Sequence, residues 1–298
     1  MFDYKLIEAM AMVVREGGFD KAANVLHLSQ SAVSQRVKLL EEQTGQILLA
    51  RSTPPRTTSA GRNLLKHYLQ VKQLEDDLLG EMDKEADKGY RSIAVALNAD
   101  SLATWFLDAI QSLVVKEGVL LDIRVDDQEQ THRLLKNGDV VGCVSTQDQP
   151  LQGCRMVYLG EMNYQLLAAP EFVEKWFPAG LTITEACRAP AIIFNRKDEL
   201  HHKLFQQVFG EVPDAFPAHY IPSAEKFVDF IARGLGYGML PGQQSESFLR
   251  NGRLVDLAPG CKVPVKLYWH CWNLKSKLLD TLTRQLTVKA NMLLDEYR

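Results

Sequence analysis

Long apolar runs are missing from this sequence of 298 residues. None approaches the roughly 18 to 20 residues that a membrane-crossing helix needs. Cysteine is scarce: the five present (Cys143, Cys154, Cys187, Cys261, Cys271) are odd in number and scattered. No two stand at C-x-x-C spacing, which argues against both a zinc knuckle and a disulfide framework. A basic excess is missing too. The formal net charge is −3, so any contact with nucleic acid must come from a local patch. Catalytic signatures are equally scarce, with no serine nucleophile elbow, HExxH, P-loop or GxGxxG. The histidines show no triad spacing, and His201-His202 at a helix start reads as a surface pair rather than a metal site. These absences point away from an enzyme, a metal centre and a bound cofactor. The opening stretch MFDYKLIEAMAMVVREGGF mixes acids among its apolar residues and lacks a basic n-region, so it reads as folded structure in a cytoplasmic protein.

What is present suits a globular chain of about two domains. Hydrophobic residues make up 46% and charged residues 24%, enough for a sizeable core. Leu6, Ile7, Ala9, Met10, Val13 and Val14 form a helical stripe over Tyr4 to Arg15, which Gly17-Gly18 stops. Asp20 is placed to cap a second helix through Leu26, and Ser29 or Ser31 a third through Glu42, with Gly45 ending it. ILLAR and STPPRTT read as a small β-wing. A helix then runs from Ser59 to about Lys88, carrying Leu64, Leu65, Tyr68, Leu69, Val71, Leu74, Leu78 and Leu79. So many apolar positions require a partner, and a second copy of the same helix is the economical one.

From Ser92 onward strands alternate with helices. SIAVAL, LLDIRV, VVGCVS, AIIFN and KLYWHCW read as strands, and the helices fall near Ser101–Lys116, Gln128–Lys136, Glu199–Phe209 and Ala224–Arg233. This predicts a parallel-sheet α/β architecture. A late strand at Val265–Trp272 and a closing helix, Lys275–Tyr297, suit a chain that returns to its first subdomain. Two subdomains joined by crossing strands leave a cleft between them.

The stretch SQSAVSQRVKLLEEQTGQILLAR, Ser29 to Arg51, is the most informative. Helix, tight turn and a second helix whose leading turn is short and polar form the helix-turn-helix that enters a DNA major groove. Ser31, Ser34, Gln35 and Lys38 lie on the leading or exposed part, within reach of base edges and phosphates. Ser29 and Gln30 open that helix. Ala32, Val33, Val37 and Leu40 face inward, and Arg36 flanks the groove. Ala22 and Ala23 allow close approach by the preceding helix. Arg51 and Arg56, with Pro54-Pro55 stiffening the wing, are placed against backbone phosphates. Between Ser29 and Arg62, five bases (Arg36, Lys38, Arg51, Arg56, Arg62) outnumber Glu41 and Glu42, a local positive footprint.

FDKAANVLHLSQSAVSQRVKLLEEQTGQILLARSTPPRTTSAG closely resembles the N-terminal domain of LysR-type transcriptional regulators. It departs from the family pattern mainly at Leu49, where phenylalanine is usual, and at Leu40–Glu42, which keeps a leucine-acid pair. The resemblance covers the whole chain and implies a winged helix-turn-helix at 1–58, a linker and dimerisation helix at 59–89, and an effector domain at 90–298. That domain is expected to be α/β, two-lobed and periplasmic-binding-protein-like, with lobe I at about 90–163 and 267–298 and lobe II at about 164–266. The implied partners are a double-stranded DNA operator, a second copy (a homodimer, often a dimer of dimers) and RNA polymerase, without a membrane. RSTPPRTTSAG, ALNADSLATWF, GDVVGCVSTQDQPLQGC, PSAEKFVDFIARG and LYWH resemble the arginine- and lysine-responsive, ArgP/LysG-like subfamily. That likeness implies lysine or arginine as effector and control of basic amino-acid export or metabolism.

Chemistry suggests where such an effector sits. In clam-like α/β domains, ligands lie at strand carboxyl ends and helix N-termini. ALNADS places Asn98, Asp100 and Ser101 at the cleft, Ser101 for a carboxylate and Asp100 for an α-amine. A basic side chain needs a further acid, and Asp126, Asp127 and Glu129 follow a strand. Ser145 and Thr146 end another on the same rim. From the second lobe, Asn195 ends AIIFN, Asp198 begins the next helix, and Ser223 caps the helix at Ala224. Each has a plainer reading, since Asp100 or Ser223 can serve merely as a helix cap and the acids as a solvated turn. Two other functions compete: a redox switch pairing Cys143 with Cys154, against which Cys143 reads as a small core residue, and a non-specific nucleoid-binding protein.

Overall fold

The computed structural model describes residues 2–50, 52–82, 91–126, 128–213 and 215–295. The chain opens with three helices, α1 (Tyr4–Glu16), α2 (Phe19–Leu26) and α3 (Gln30–Thr44). Each boundary has a local cause. Gly17 and Gly45 take the left-handed conformation that ends α1 and α3, a backbone region that glycine enters without penalty. Ser29 caps α3 by accepting from the Ala32 N–H at 3.2 Å. Asp20 does not cap α2: Gly18 holds that position and Asp20 lies in the first turn, where its charge suits the helix dipole. Ile7, Met10, Val13, Ala22, Val33, Val37 and Leu40 bury together as the core of this head.

The wing is a short antiparallel pair, β1 (Leu49–Ala50) with β2 (Arg56–Thr57). It leads into the long α4 (Ser59–Met82); the expected extension to Lys88 lies outside the described residues. Thr58 donates its hydroxyl to the Ile47 carbonyl at 2.7 Å and accepts from the Gly61 N–H. A side chain at Gly61 would meet the Leu48 carbonyl oxygen at 2.1 Å, so only glycine lets α4 lie this close to the wing.

The remaining chain forms one curled nine-stranded sheet. The elements β3 (Arg91–Leu97), α5 (Ala99–Ala103), α6 (Phe106–Glu117), β4 (Val119–Val125), α7 (Gln128–Asn137) and β5 (Gly142–Ser145) build one lobe. The strand β6 (Cys154–Ala168) then crosses to the other. There follow α8 (Pro170–Trp176), α9 (Ile183–Ala186), β7 (Ala191–Ile193), α10 (Leu200–Phe209), β8 (Ala218–Tyr220), α11 (Ala224–Ala232), β9 (Tyr237–Pro241), α12 (Gly242–Arg250) and β10 (Val255–Asp256). The strand β11 (Val263–Trp272) crosses back, and α13 (Lys277–Asp295) packs on the first lobe. The strand order is β4-β3-β5-β11-β6-β9-β7-β8, with β10 on β6.

The expected parallel sheet holds within each lobe: β3 pairs parallel with β4 and β5, and β7 with β8 and β9. The sheet as a whole is mixed, because the crossing strands β6 and β11 run antiparallel to each other and to their other neighbours. The helix expected at Ser101–Lys116 is two helices, α5 and α6. Between them Trp105 buries to 1% exposure, and the Thr104 hydroxyl donates to the Asp100 carbonyl at 2.6 Å. The long helix α4 also touches the effector lobe directly. Gln73 of α4 reaches Ser276, and Asp77 pairs with Arg91, beside a cavity of about 910 Å³ between α1, α4 and the first lobe.

Candidate functional sites

Two sites emerge, one on the head and one between the lobes. On α3, Val33, Val37 and Leu40 are buried and Ala32 half-buried, while Ser29, Gln30, Ser31, Ser34, Gln35 and Lys38 are exposed. Arg36 is half-buried at the flank. The exposed face is therefore the short polar one that fits a major groove. Ser29 and Ser31 are joined at 3.0 Å through their hydroxyls, so Ser29 serves helix start and surface together. Lys38 pairs loosely with Glu42, at 3.6 Å. In the wing Pro55 is half-buried and Arg56 exposed; Arg51 lies outside the described residues. Glu41, an acid set against five bases in the sequence and part of its leucine-acid pair, accepts from the backbone N–H groups of Leu48 and Leu49 at 2.8 and 3.2 Å. It fixes the wing to the recognition helix.

In the cleft, Asn98 precedes α5 and Ser101 lies within it. Both are buried, and neither Asn98 Oδ1 nor Ser101 Oγ has a hydrogen-bond partner. Unpaired buried polar atoms are costly, which is why they mark sites awaiting a ligand or water. Asp100 accepts a 2.6 Å hydrogen bond from the Tyr164 hydroxyl. Desolvation raises the Asp100 pKa above the ordinary carboxylate value; the Tyr164 hydrogen bond opposes this and the Asp198 charge adds to it. Asp198 stands in the other lobe, just before α10, and its charge acts on Asp100 across the cleft. The lobes also meet where α5 contacts α11.

Asp198 is not free to swing. It accepts from the Leu200 N–H at 3.0 Å and from the Phe194 N–H at 3.3 Å. Asn195 accepts from the Lys197 N–H at 2.8 Å in the same turn, and Ser223 caps α11 through the Lys226 N–H. These residues thus have the plain structural roles that the sequence allows. Ser145 ends β5, is buried, and accepts from the Gln147 N–H; Thr146 follows it, half-buried. Asp126 is exposed, and its backbone N–H donates to the Leu97 carbonyl at 3.3 Å, which sets it beside Asn98. Asp127 lies outside the described residues, and Glu129 stands in the first turn of α7 with its side chain outside them. Tyr164 escaped the sequence reading, because the strand that carries it was not recognised.

The histidine pair is not a surface pair. His202 is exposed, but His201 is 1% exposed among Phe205, Phe216 and Tyr237. Burial lowers its pKa to about 4 against the pull of Asp198. Among the described residues no cluster of His, Cys, Asp and Glu could hold a metal ion. All five thiols are free, and burial pushes Cys143 far above the ordinary thiol range, the condition of an inert core cysteine. No described helix is long and apolar enough to cross a membrane.

A winged helix-turn-helix with a polar recognition face, carried on a long helix beside a two-lobed domain with a polar cleft, defines a ligand-responsive DNA-binding regulator. The chain belongs to the LysR family. Residues 4–62 match the bacterial regulatory helix-turn-helix protein, lysR family, and residues 92–287 match the LysR substrate binding domain. It is 44% identical over 291 residues to the HTH-type transcriptional regulator ArgP of Pseudomonas aeruginosa, covering 97% of this chain and 96% of the relative. The crystal structure of ArgP from Mycobacterium tuberculosis superposes with a TM-score of 0.89 at 38% identity, covering 98% of this chain and 99% of that one. Full-length LysG from Corynebacterium glutamicum with bound effector Arg gives 0.78 at 31% identity, over 97% and 98%. The chain is a DNA-binding transcriptional regulator and not an enzyme.

Proposed function

We propose that this regulator takes a basic amino acid, lysine or arginine, in the cleft between its lobes and controls genes for basic amino-acid export or metabolism. The observation that carries this reading is the desolvated Asp100, held by the Tyr164 hydroxyl at 2.6 Å, with the Asp198 charge acting on it from the opposite lobe. A desolvated acid beside a second negative charge is costly to ionise unless a cation joins it. A basic amino acid supplies two cationic groups and one carboxylate, and Ser101 with the unpartnered groups at the start of α5 suits the latter. The relatives' names and the arginine bound by LysG support the same class of effector. Asn98, Ser145, Thr146, Asn195 and Ser223 complete the proposed rim, with Asp126, Asp127 and Glu129 as further acids.

The chain divides into the head at 1–58, the linker helix at 59–89 and the effector domain at 90–298, with the lobes changing near 163 and 267. The head binds an operator through Ser29, Gln30, Ser31, Ser34, Gln35, Arg36 and Lys38, with Arg51, Pro55 and Arg56 from the wing. The working form is a dimer or a dimer of dimers, paired through α4, and it acts on RNA polymerase at the promoter. Gln35→Ala weakens specific binding by about 1–3 kcal/mol if it reads a base. Arg56→Ala instead weakens binding to all sequences and flattens the salt dependence.

Calorimetric titration of the full-length protein tests the effector. Lysine or arginine should bind at micromolar to millimolar levels, and leucine and glutamate should not. No heat with either basic amino acid would remove the effector assignment and leave the DNA-binding function standing.

A further inference from the structure

The strand β6 changes partner along its length, and Tyr164 is where it does so. Its backbone faces Val263 of β11 on one side and Pro241 of β9 on the other. Tyr164 is only 2% exposed, and its hydroxyl leaves this hinge strand to reach Asp100 Oδ2 on α5. We infer that Tyr164 is a positioning residue for the effector's cationic group, holding one oxygen of Asp100 so that the other is presented to the cleft. This rests on the proposal that the cleft takes a basic amino acid.

A phenol can donate only one hydrogen bond, and here it goes to Oδ2, which leaves the lone pairs of Oδ1 for an incoming cation. A buried carboxylate near a second acid is driven toward its protonated form, which cannot form an ion pair. Donation from Tyr164 opposes that drive, so the hydroxyl both aims Asp100 and keeps it charged. Finally, Tyr164 belongs to the strand that joins the lobes, so the acid of one lobe is held by the hinge itself and the distance between the carboxylates follows hinge geometry.

The titratable groups that face Asp100 are Tyr164 from β6 and Asp198 from the segment before α10. On α11, which packs against α5, Glu225 and Lys226 are exposed and Asp229 is half-buried, with Lys226 paired to Asp229 at 3.2 Å. Asp108 on α6 is exposed.

The test is calorimetric titration of the full-length protein with L-lysine and L-arginine, repeated from neutral to mildly acidic pH. Wild type, Tyr164→Phe and Asp100→Asn are compared, with thermal melts to confirm that each is folded. Tyr164→Phe should bind roughly tenfold more weakly at neutral pH, as for a lost hydrogen bond to a charged group. Its affinity should also begin to fail at a higher pH than in wild type. Asp100→Asn should bind least and show no such acid limb. Equal affinity in Tyr164→Phe, or a loss that is the same at every pH, overturns the assignment, as does Asp100→Asn binding like wild type. If wild type itself binds neither amino acid, the effector reading fails and this one with it; wild-type binding with an unmoved acid limb removes the role of Tyr164 alone.

Discussion

Glu41, near the end of the recognition helix, accepts a 2.8 Å hydrogen bond from the backbone N–H of Leu48, where the wing begins. A second, from Leu49, follows at 3.2 Å. A long-range electrostatic view would have this acid weaken DNA binding, so that removing it should help. The contacts argue the reverse. Glu41→Ala leaves two part-buried backbone donors unsatisfied, at a cost of about 1–3 kcal/mol each, and releases the wing from α3. The expected outcome is a lower melting temperature and weaker operator binding, despite the gain in positive charge. Tighter binding of Glu41→Ala in a fluorescence titration would show that charge, not wing geometry, governs this position.

The linker helix presents two different faces. Leu65 is 8% exposed and packs within the head's own core, and Gln73 and Asp77 face the effector lobe. Leu74, Leu78, Leu79 and Met82 are 39%, 57%, 62% and 74% exposed. With half-buried Val71, the residues Leu74, Leu78 and Met82 recur at three- and four-residue spacing, the pattern of a helix seam. Replacing Leu74 and Leu78 together by glutamate should yield monomers in light scattering that lose operator affinity, because half-sites about one helical turn apart need two heads. Leu65→Glu should unfold the head instead. A double variant that stays dimeric and binds would sink the α4 seam.

The head was legible in the sequence because its constraints are local: a serine cap, glycine stops, alanines at a close crossing and inward valines at helical spacing. The same was true of β3, β4, β5 and β11, whose apolar runs are short and bounded. The strand β6 was not legible. MVYLGEMNYQLLA alternates poorly because its two ends serve different lobes, so no single period describes it. Tyr164 was lost with it, and so were β8 and β10, which are too short to leave a pattern. Asp100 and Asp198 were found separately, each as a helix-start acid. The reach of the Asp198 charge to Asp100 across the cleft is a tertiary fact that no local spacing carries.

Two buried histidines set the acid limit of stability. Burial holds His201 and His270 at about 4, against an ordinary value of 6.5, and lowers His132, which meets His270 edge-to-face at 4.5 Å. A histidine kept neutral in the fold binds its proton in the unfolded chain first. Stability is therefore complete above 6.5 and falls as pH drops from 6.5 toward 4, by on the order of a few kcal/mol in all. Urea midpoints measured across that range should decline on acidification. His201→Phe, which keeps the aromatic packing, should make the decline shallower; an unchanged slope would show that other groups dominate.

Asp100 works in the opposite sense. Its folded pKa is raised, so between the ordinary value of 3.8 and the folded one the native state holds a proton that the unfolded chain has released. Stability then falls as pH rises through that window, and at neutral pH the ionised acid is a standing cost to the ligand-free protein. Asp100→Asn keeps an acceptor for Tyr164 and removes the charge. It should raise the melting temperature of the ligand-free protein by a few degrees at neutral pH, and the advantage should shrink as pH is lowered. The same change should abolish any stabilisation by lysine or arginine and leave operator binding intact. That combination, a more stable protein that no longer responds, is what a site strained for its ligand predicts. A lower melting temperature for Asp100→Asn at neutral pH would mean that the acid supports the fold and that its desolvation is offset by contacts the cleft already holds.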